Sequence, residues 1–201
     1  MKIVELSPGG GWYTEILANY IDKPGLLIAA HFDKDTNIPY FKRGRAAFEK
    51  KINTNPMYKN VEIVDLSSEL AKEGSIDAVL TFRNLHNWLG PQMDNIFSNT
   101  YKALKPGGIF GVVEHRANPG TSMEKMKKSG YVTEEHAIKV AEKHGFTLVS
   151  KSEINANPKD TKDYPRGVWT LPPSLRLKDK DKDKYLEIGE SDRMTLLFKK
   201  L

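Results

Sequence analysis

The chain has 201 residues, 39% of them hydrophobic and 28% charged, with a formal net charge of +5 and no cysteine. That is one domain's length, apolar enough for a core and too evenly charged for a disordered chain, and no apolar run approaches the ~20 residues that span a bilayer. Without cysteine there are no disulfides, no zinc–cysteine clusters and no thiol nucleophile.

In chain order, short apolar runs alternate with helical patterns. Ile3 to Leu6 reads as a first buried strand, followed by a glycine loop and a helix over Tyr13 to Tyr20. Leu26 to Ala30 is a second strand, and Tyr40 to Ile52 a helix with Phe41, Phe48 and Ile52 on one face. Val61 to Val64 and Ile76 to Thr81 are the third and fourth strands. Met93, Ile96, Phe97, Thr100, Tyr101 and Leu104 recur at helical spacing and form one apolar stripe. That helix ends at Lys105-Pro106-Gly107-Gly108, before a fifth strand over Ile109 to Val113. Thr133 caps a helix running to His144, with His136 and His144 expected at the surface. Phe146 to Ile154 and Met194 to Phe198 are the last two strands.

Strands alternating with helices predict a parallel sheet covered on both faces, an α/β protein of three layers. No convincing helix separates the last two strands, so they are expected to pair antiparallel. Between them lies an irregular insertion over about 155–190. Its Lys178 to Lys184 part alternates lysine with aspartate and reads as a solvated, mobile loop. Its Tyr164, Trp169 and Leu171 are apolar material in a long loop, expected to fold over a ligand site or, equally, to close the sheet edge as a hydrophobic patch.

The first strand runs Ile3-Val4-Glu5-Leu6-Ser7-Pro8-Gly9-Gly10-Gly11. Small residues between a strand and a helix let backbone approach a ligand closely, beside the free N–H groups of the helix start. In open α/β sheets ligands bind at the carboxyl ends of the strands, where the strand order switches. A nicotinamide fingerprint needs a third glycine where Thr14 stands, and the Gly-Lys-Ser/Thr phosphate loop is absent, so phosphate binding explains this turn poorly.

The stretch Val4-Glu5-Leu6-Ser7-Pro8-Gly9-Gly10-Gly11 resembles motif I of class I S-adenosylmethionine-dependent methyltransferases, an acid followed by Gly-x-Gly-x-Gly, with Ser7 at the first glycine. Ile76-Asp77-Ala78-Val79-Leu80 resembles their fourth strand, and Leu104-Lys105-Pro106-Gly107-Gly108 the turn before their fifth. Longer stretches are similar to a poorly characterised group of predicted bacterial methyltransferases: Ser7 to Glu15 (SPGGGWYTE), Phe82 to Trp88, and Tyr164 to Pro173. The resemblance implies a doubly wound, Rossmann-like sheet of seven strands, mostly parallel, with an antiparallel C-terminal pair, in one domain spanning 1–201. Relatives carry helices before the first strand that help to close the site. This chain begins almost at that strand, so those helices are expected to be absent.

The implied cofactor is S-adenosyl-L-methionine. Glu5 and the backbone of Ser7, Gly9 and Gly11 should meet its methionine half. Gly10, Tyr13, Thr14, Arg83 and Asn84 complete the expected set around the turn. A carboxylate after the second strand normally takes the ribose hydroxyls. Here His31 stands nearest that position and Asp33 two residues on, a departure that leaves the ribose partner open. Asp65 is placed for the adenine amino group or, equally, as a helix cap.

His86 follows the fourth strand, beside the expected methyl group, and histidine suits the removal of a proton near neutral pH. Asn84 and Asn87 are expected to orient the acceptor, and Glu114 and His115 face the same edge from the fifth strand. Glu114, His115 and His86 come from separate loops without metal-ligand spacing, so no metal is expected.

Base-amino methyltransferases carry Asn/Asp-Pro-Pro-aromatic after the fourth strand, where this chain has Arg83-Asn84-Leu85-His86. Methylation at a base carbon through a thiol adduct needs the cysteine that the chain lacks. A small-molecule acceptor is therefore expected. Nucleic acid is disfavoured, because the lysines are interleaved with acids. No membrane partner is expected, and the N-terminus lacks the pattern of a signal peptide, which makes a cytoplasmic location the expectation. The rival expectation is a non-catalytic S-adenosylmethionine-binding or interaction protein with the same fold.

Overall fold

The computed structural model describes residues 1–21 and 24–201. Its strands are β1 (Lys2–Leu6), β2 (Leu26–His31), β3 (Val61–Asp65), β4 (Ile76–Phe82), β5 (Leu104–His115), β6 (Phe146–Ser152) and β7 (Arg193–Lys200). They form one sheet in the order β3-β2-β1-β4-β5-β7-β6. β1 to β5 run parallel, and β7 is antiparallel to both β5 and β6. The chain thus builds outward from β1 in one direction, then returns and builds outward in the other. The carboxyl ends of β1 and β4 meet at this reversal, where backbone groups on two sides of a crevice are left facing a ligand.

Alternation along the strands divides the core. Ile3, Leu27, Ala29 and Ala78 point to the face covered by α1 (Trp12–Tyr20) and α2 (Pro39–Thr54), which contribute Leu17, Ala18, Phe48 and Ile52. Val4, Leu6, Ile28 and Val79 point to the opposite face. There they meet the stripe of Met93, Ile96 and Phe97 on α4 (Pro91–Ala103) and Ala137 and Ala141 on α6 (Glu134–Lys143). Two faces and two helix layers satisfy the expected doubly wound architecture. No helix of the described chain is long and apolar enough to cross a membrane.

Several local expectations need correction. Two short helices, α3 (Leu85–Trp88) and α5 (Met123–Ser129), escape a reading that needs two full turns of periodicity. β5 begins at Leu104, pairing through the Pro-Gly-Gly turn to Ile76 with an irregularity before Ala78, and β6 ends at Ser152 rather than Ile154. The insertion is more ordered than its composition suggests. A 3-10 turn covers Gly167–Thr170, and α7 (Lys182–Ile188) starts inside the Lys/Asp alternation. α7 is fixed by Tyr185, which is buried and meets Tyr164 edge to face at 5.9 Å. His136 and His144 are partly buried rather than exposed, and His144 Nε2 lies 2.9 Å from Asp94.

A buried polar network ties the insertion to the sheet. Tyr131 donates its hydroxyl hydrogen to Asp160 (3.0 and 3.1 Å), and the Asp192 amide donates to the same carboxylate at 2.7 Å. Arg116, just past β5, pairs with Asp192, Glu153 and Glu134. Burial raises the Asp192 carboxyl, but the bonds from Arg116 and Lys162 outweigh it and hold the group down at about 2. Such a network makes the insertion a fixed wall rather than a free loop.

Candidate active site

A cavity of about 560 Å³ opens at the carboxyl ends of β1 and β4, within the range of small-molecule sites. The β1 turn contributes Glu5, Ser7, Gly9 and Gly10, and α1 contributes Tyr13. Arg83, Asn84 and His86 enter from the β4 side, with His115 from β5. The insertion closes the remaining side with Trp169 and Pro172-Pro173. Of the three insertion residues expected over the site, Trp169 lines the cavity. Leu171 is fully buried beneath it, and Tyr164 lies away, against Tyr185.

The turn itself is open. Gly9 has φ +57, a conformation that favours glycine, and a Cβ added at Gly9 or Gly10 would meet nothing within 4 Å. Ser7 also holds a left-handed backbone, φ 51, and its Oγ is buried with no hydrogen-bond partner. Lys51 donates to the carbonyl oxygens of Gly10 and Gly11 at 3.3 and 3.1 Å, which holds the turn from α2. Gly11 and Thr14 lie beneath the turn rather than on the cavity. Thr14 is buried and donates its hydroxyl hydrogen to Glu5 at 2.6 Å. Burial pushes the Glu5 carboxyl up to about 7, against the lowering effect of that bond and of Lys51.

The residues expected to take the adenosine half lie outside this cavity. His31 is buried, accepts the Phe32 amide hydrogen at Nδ1 (2.8 Å) and meets the Gly9 carbonyl oxygen at Nε2 (3.1 Å), so both ring nitrogens are engaged. Burial lowers its pKa, which keeps the ring neutral. Asp33 accepts the Ser67 amide hydrogen at 3.1 Å. Asp65 is paired with Arg45 at 2.6 Å and accepts the Lys34 amide hydrogen at 3.2 Å. Asp33 and Asp65 tie the segments after β2 and β3 together, and His31 ties β2 to the glycine turn. Each aspartate keeps a second carboxylate oxygen without a recorded partner, whereas His31 has no nitrogen left for a ribose. A second hollow of about 490 Å³ lies across Gly9 and Gly10, lined also by Phe32, Tyr40 and Arg43.

On the β4 side, the Asn84 amide donates to the carbonyl oxygens of Ser7 (3.2 Å) and Phe82 (3.1 Å), clamping the two strand ends. Asn87 is exposed and off the cavity. Tyr13 stacks on Phe82 at 3.8 Å.

Below the cavity floor, Glu114 is fully buried and gathers the histidines. His86 Nδ1 lies 3.0 Å from it, and the His86 and His115 amides donate to it at 3.3 and 2.7 Å. Burial raises this carboxyl, but His86 and His115 outweigh that and leave it below the usual carboxylate range. An ionised Glu114 only accepts, so His86 Nδ1 carries the hydrogen that meets it. Burial, with Arg83, Arg193 and His86 nearby, drives His115 down to about 4 despite Glu114. His115 is therefore neutral, with Nδ1 2.6 Å from Ser191 Oγ.

His86, Glu114 and His115, expected on unrelated loops, thus converge, with one potential ligand atom from each lying within 4.8 Å of the others. Two guanidiniums close enough to depress His115 oppose a cation there, and the carboxylate is already consumed by the histidines. Arg193, which opens β7, and Ser191, two residues before it, line the same wall and carry no motif in the sequence.

The residues around the turn fit S-adenosyl-L-methionine. The space over Gly9 and Gly10 is open, the Ser7 hydroxyl is orphaned among the described residues, and the Glu5 carboxyl beside them is raised to about 7.

A family model described as a methyltransferase domain matches residues 4–112, more than half of the chain. No curated protein matches. Among solved structures, an S-adenosylmethionine-dependent methyltransferase from Aquifex aeolicus aligns with a TM-score of 0.64 at 13% identity, over 100% of this chain and 82% of its own. The geranyl diphosphate C-methyltransferase of Streptomyces coelicolor, in complex with Mg2+, geranyl-S-thiolodiphosphate and S-adenosyl-L-homocysteine, aligns at 0.68 and 10% identity, over 100% of this chain and 69% of its own. The [4+2]-cyclase SpnF aligns at 0.68 and 15% identity, over 99% and 75%. The chain belongs to the methyltransferase domain family, and the cofactor of its methyltransferase neighbours is S-adenosyl-L-methionine.

Proposed function

We propose that the chain is an S-adenosyl-L-methionine-dependent methyltransferase for a small-molecule acceptor, with His86 as the general base. When bound, the cofactor supplies an electrophilic methyl group. The chain's residues supply the rest. Glu5 and the turn over Ser7, Gly9 and Gly10 hold its amino-acid end. Asn84 acts indirectly by fixing the two strand ends, and Asn87, off the cavity, is released from the acceptor role. Trp169, edge-on to His86 at 5.9 Å, excludes water from the acceptor side.

The observation that carries this reading is the Glu114–His86 contact of 3.0 Å. A buried carboxylate that fixes Nδ1–H orients the ring and leaves Nε2 as the base, with no hydrogen-bond partner among the described residues. The small-molecule acceptor finds support in the size of the cavity, about 560 Å³, and in the wall that the insertion adds to it. The Streptomyces enzyme's geranyl substrate is of that kind.

A second reading, cofactor binding without transfer, is favoured by the likeness to the [4+2]-cyclase, since one fold hosts several chemistries. Release of S-adenosylhomocysteine across an acceptor panel separates the two. With an acceptor that must lose a proton, His86→Ala is expected to keep cofactor affinity and to lose ~10²–10⁴ in turnover. Full turnover in that variant refutes His86 as the base, and no release with any acceptor favours the second reading.

A further inference from the structure

We propose that the methyl acceptor is an oxyanion-bearing small molecule, a carboxylate or a phosphate, held by the Arg193 guanidinium on the insertion side of the cavity. This rests on the methyltransferase reading of the same site and adds the substrate class.

Arg193 opens β7, directly opposite His115 in the antiparallel ladder with β5. The His115 ring lies 5.4 Å from the His86 ring, so Arg193 sits one strand from the proposed base. Its side chain is only 17% exposed. One terminal nitrogen pairs with Glu190, and among the described residues neither the buried Nε nor the second terminal nitrogen has a hydrogen-bond partner. Nε is sealed from solvent, so the second terminal nitrogen is the donor that a molecule in the cavity can reach. A guanidinium presents its donors as a planar fork that matches carboxylate and phosphate oxygens.

The charge of the wall points the same way. Arg83 lines the cavity three residues before His86, and among the described residues no hydrogen bond or ion pair engages its guanidinium. Its backbone is left-handed, φ 62, and its amide donates to Val113 at 2.7 Å, so the turn fixes where this side chain emerges. The acids of the wall are spoken for. Glu15 pairs with Lys51 at 3.3 Å, Glu190 pairs with Arg193, and Glu5 is half protonated near pH 7. The cofactor's amino-acid end brings one carboxylate, which the β4 side and Arg83 can take. Arg193, two strands from the Arg83 turn and beside the end of the insertion at Glu190, is left for a second anion.

The test is nuclear magnetic resonance of the arginine Nε–H groups, assigned through Arg193→Lys. Inorganic phosphate, acetate and uncharged acetamide are titrated into the protein, with and without saturating S-adenosylhomocysteine. The expected result is a saturable shift of the Arg193 Nε–H with phosphate or acetate and none with acetamide. The tighter of the two anions identifies the head group. Arg193→Gln should weaken anion binding at least tenfold, as read by calorimetry, while S-adenosylhomocysteine affinity stays within twofold. No saturable anion shift in the wild-type protein overturns the proposal, as does undiminished anion affinity in Arg193→Gln. Failure of S-adenosylhomocysteine to bind the wild-type protein would instead strike the methyltransferase reading, and the anion titration of the free protein would still decide this one.

Discussion

Ser7 and Arg83 hold left-handed backbone at the two strand ends that meet at the cavity, at φ 51 and φ 62. Each such residue costs ~1–3 kcal/mol and persists only where its surroundings over-determine it. Here the Asn84 clamp and the Arg83 amide bond to Val113 do so. Glu5 is the other residue under tension. Its pKa of about 7 lies above the ordinary 4.5, so the folded chain takes up a proton that the unfolded chain has already released between those values. Stability therefore falls as pH rises from about 4.5 through 7, by up to about 3 kcal/mol. Glu5→Gln is expected to be more stable than wild type at pH 8 and close to it at pH 4.5, in urea titrations at both values. An equal difference at both would contradict a buried, proton-holding Glu5. Glu5 and the glycines were legible because chemistry and position coincide within one strand and its turn. His31 was not, because only its neighbours reveal that both nitrogens are taken. Arg193 was invisible because its meaning comes from β5, which is remote in sequence.

At the scale of elements, the insertion makes the site a cavity. Gly167, φ +54, crosses α5 so closely that an added Cβ would lie 2.1 Å from the Ser129 carbonyl oxygen. Gly167→Ala must push the insertion off α5 and carry Trp169 away from His86. Hydrogen exchange is expected to speed up over 164–172 and the end of α5, while β1 to β5 keep their protection, and turnover should fall with it. Unchanged protection over 164–172 would show that the insertion is anchored elsewhere. The regular elements were readable because each buries a periodic stripe, as α4 does with Met93, Ile96 and Phe97. α7 was not, because Lys/Asp alternation has no apolar period and a single residue, Tyr185, fixes it. The meeting of His86 with Glu114 was half legible. Both were expected at one edge, but their hydrogen bond arises from parallel β4–β5 pairing and the turn into α3.

For the whole molecule, a ligand that binds only the folded chain stabilises it by mass action. S-adenosylhomocysteine at 100 times its dissociation constant adds about 2.7 kcal/mol. For a domain of this size that corresponds to a rise in Tm of roughly 5–10 °C, measurable by scanning calorimetry. Gly10→Val should abolish the rise without lowering the Tm of the free protein. Gly10 lies outside the left-handed region, and its added Cβ meets nothing within 4 Å, so the loss would report filled ligand space rather than strain. A rise that survives in Gly10→Val would move the cofactor off the turn.

In the proposed function, the turn after β1 seats the cofactor's amino-acid end and presents its sulfur to His86. A crystal structure of the complex with S-adenosylhomocysteine tests it most directly. The expected result is the amino-acid end against Glu5, Ser7 and Gly9, with the sulfur on the His86 side of the cavity. The sulfur across the turn instead, in the hollow lined by Phe32, Tyr40 and Arg43, would contradict it.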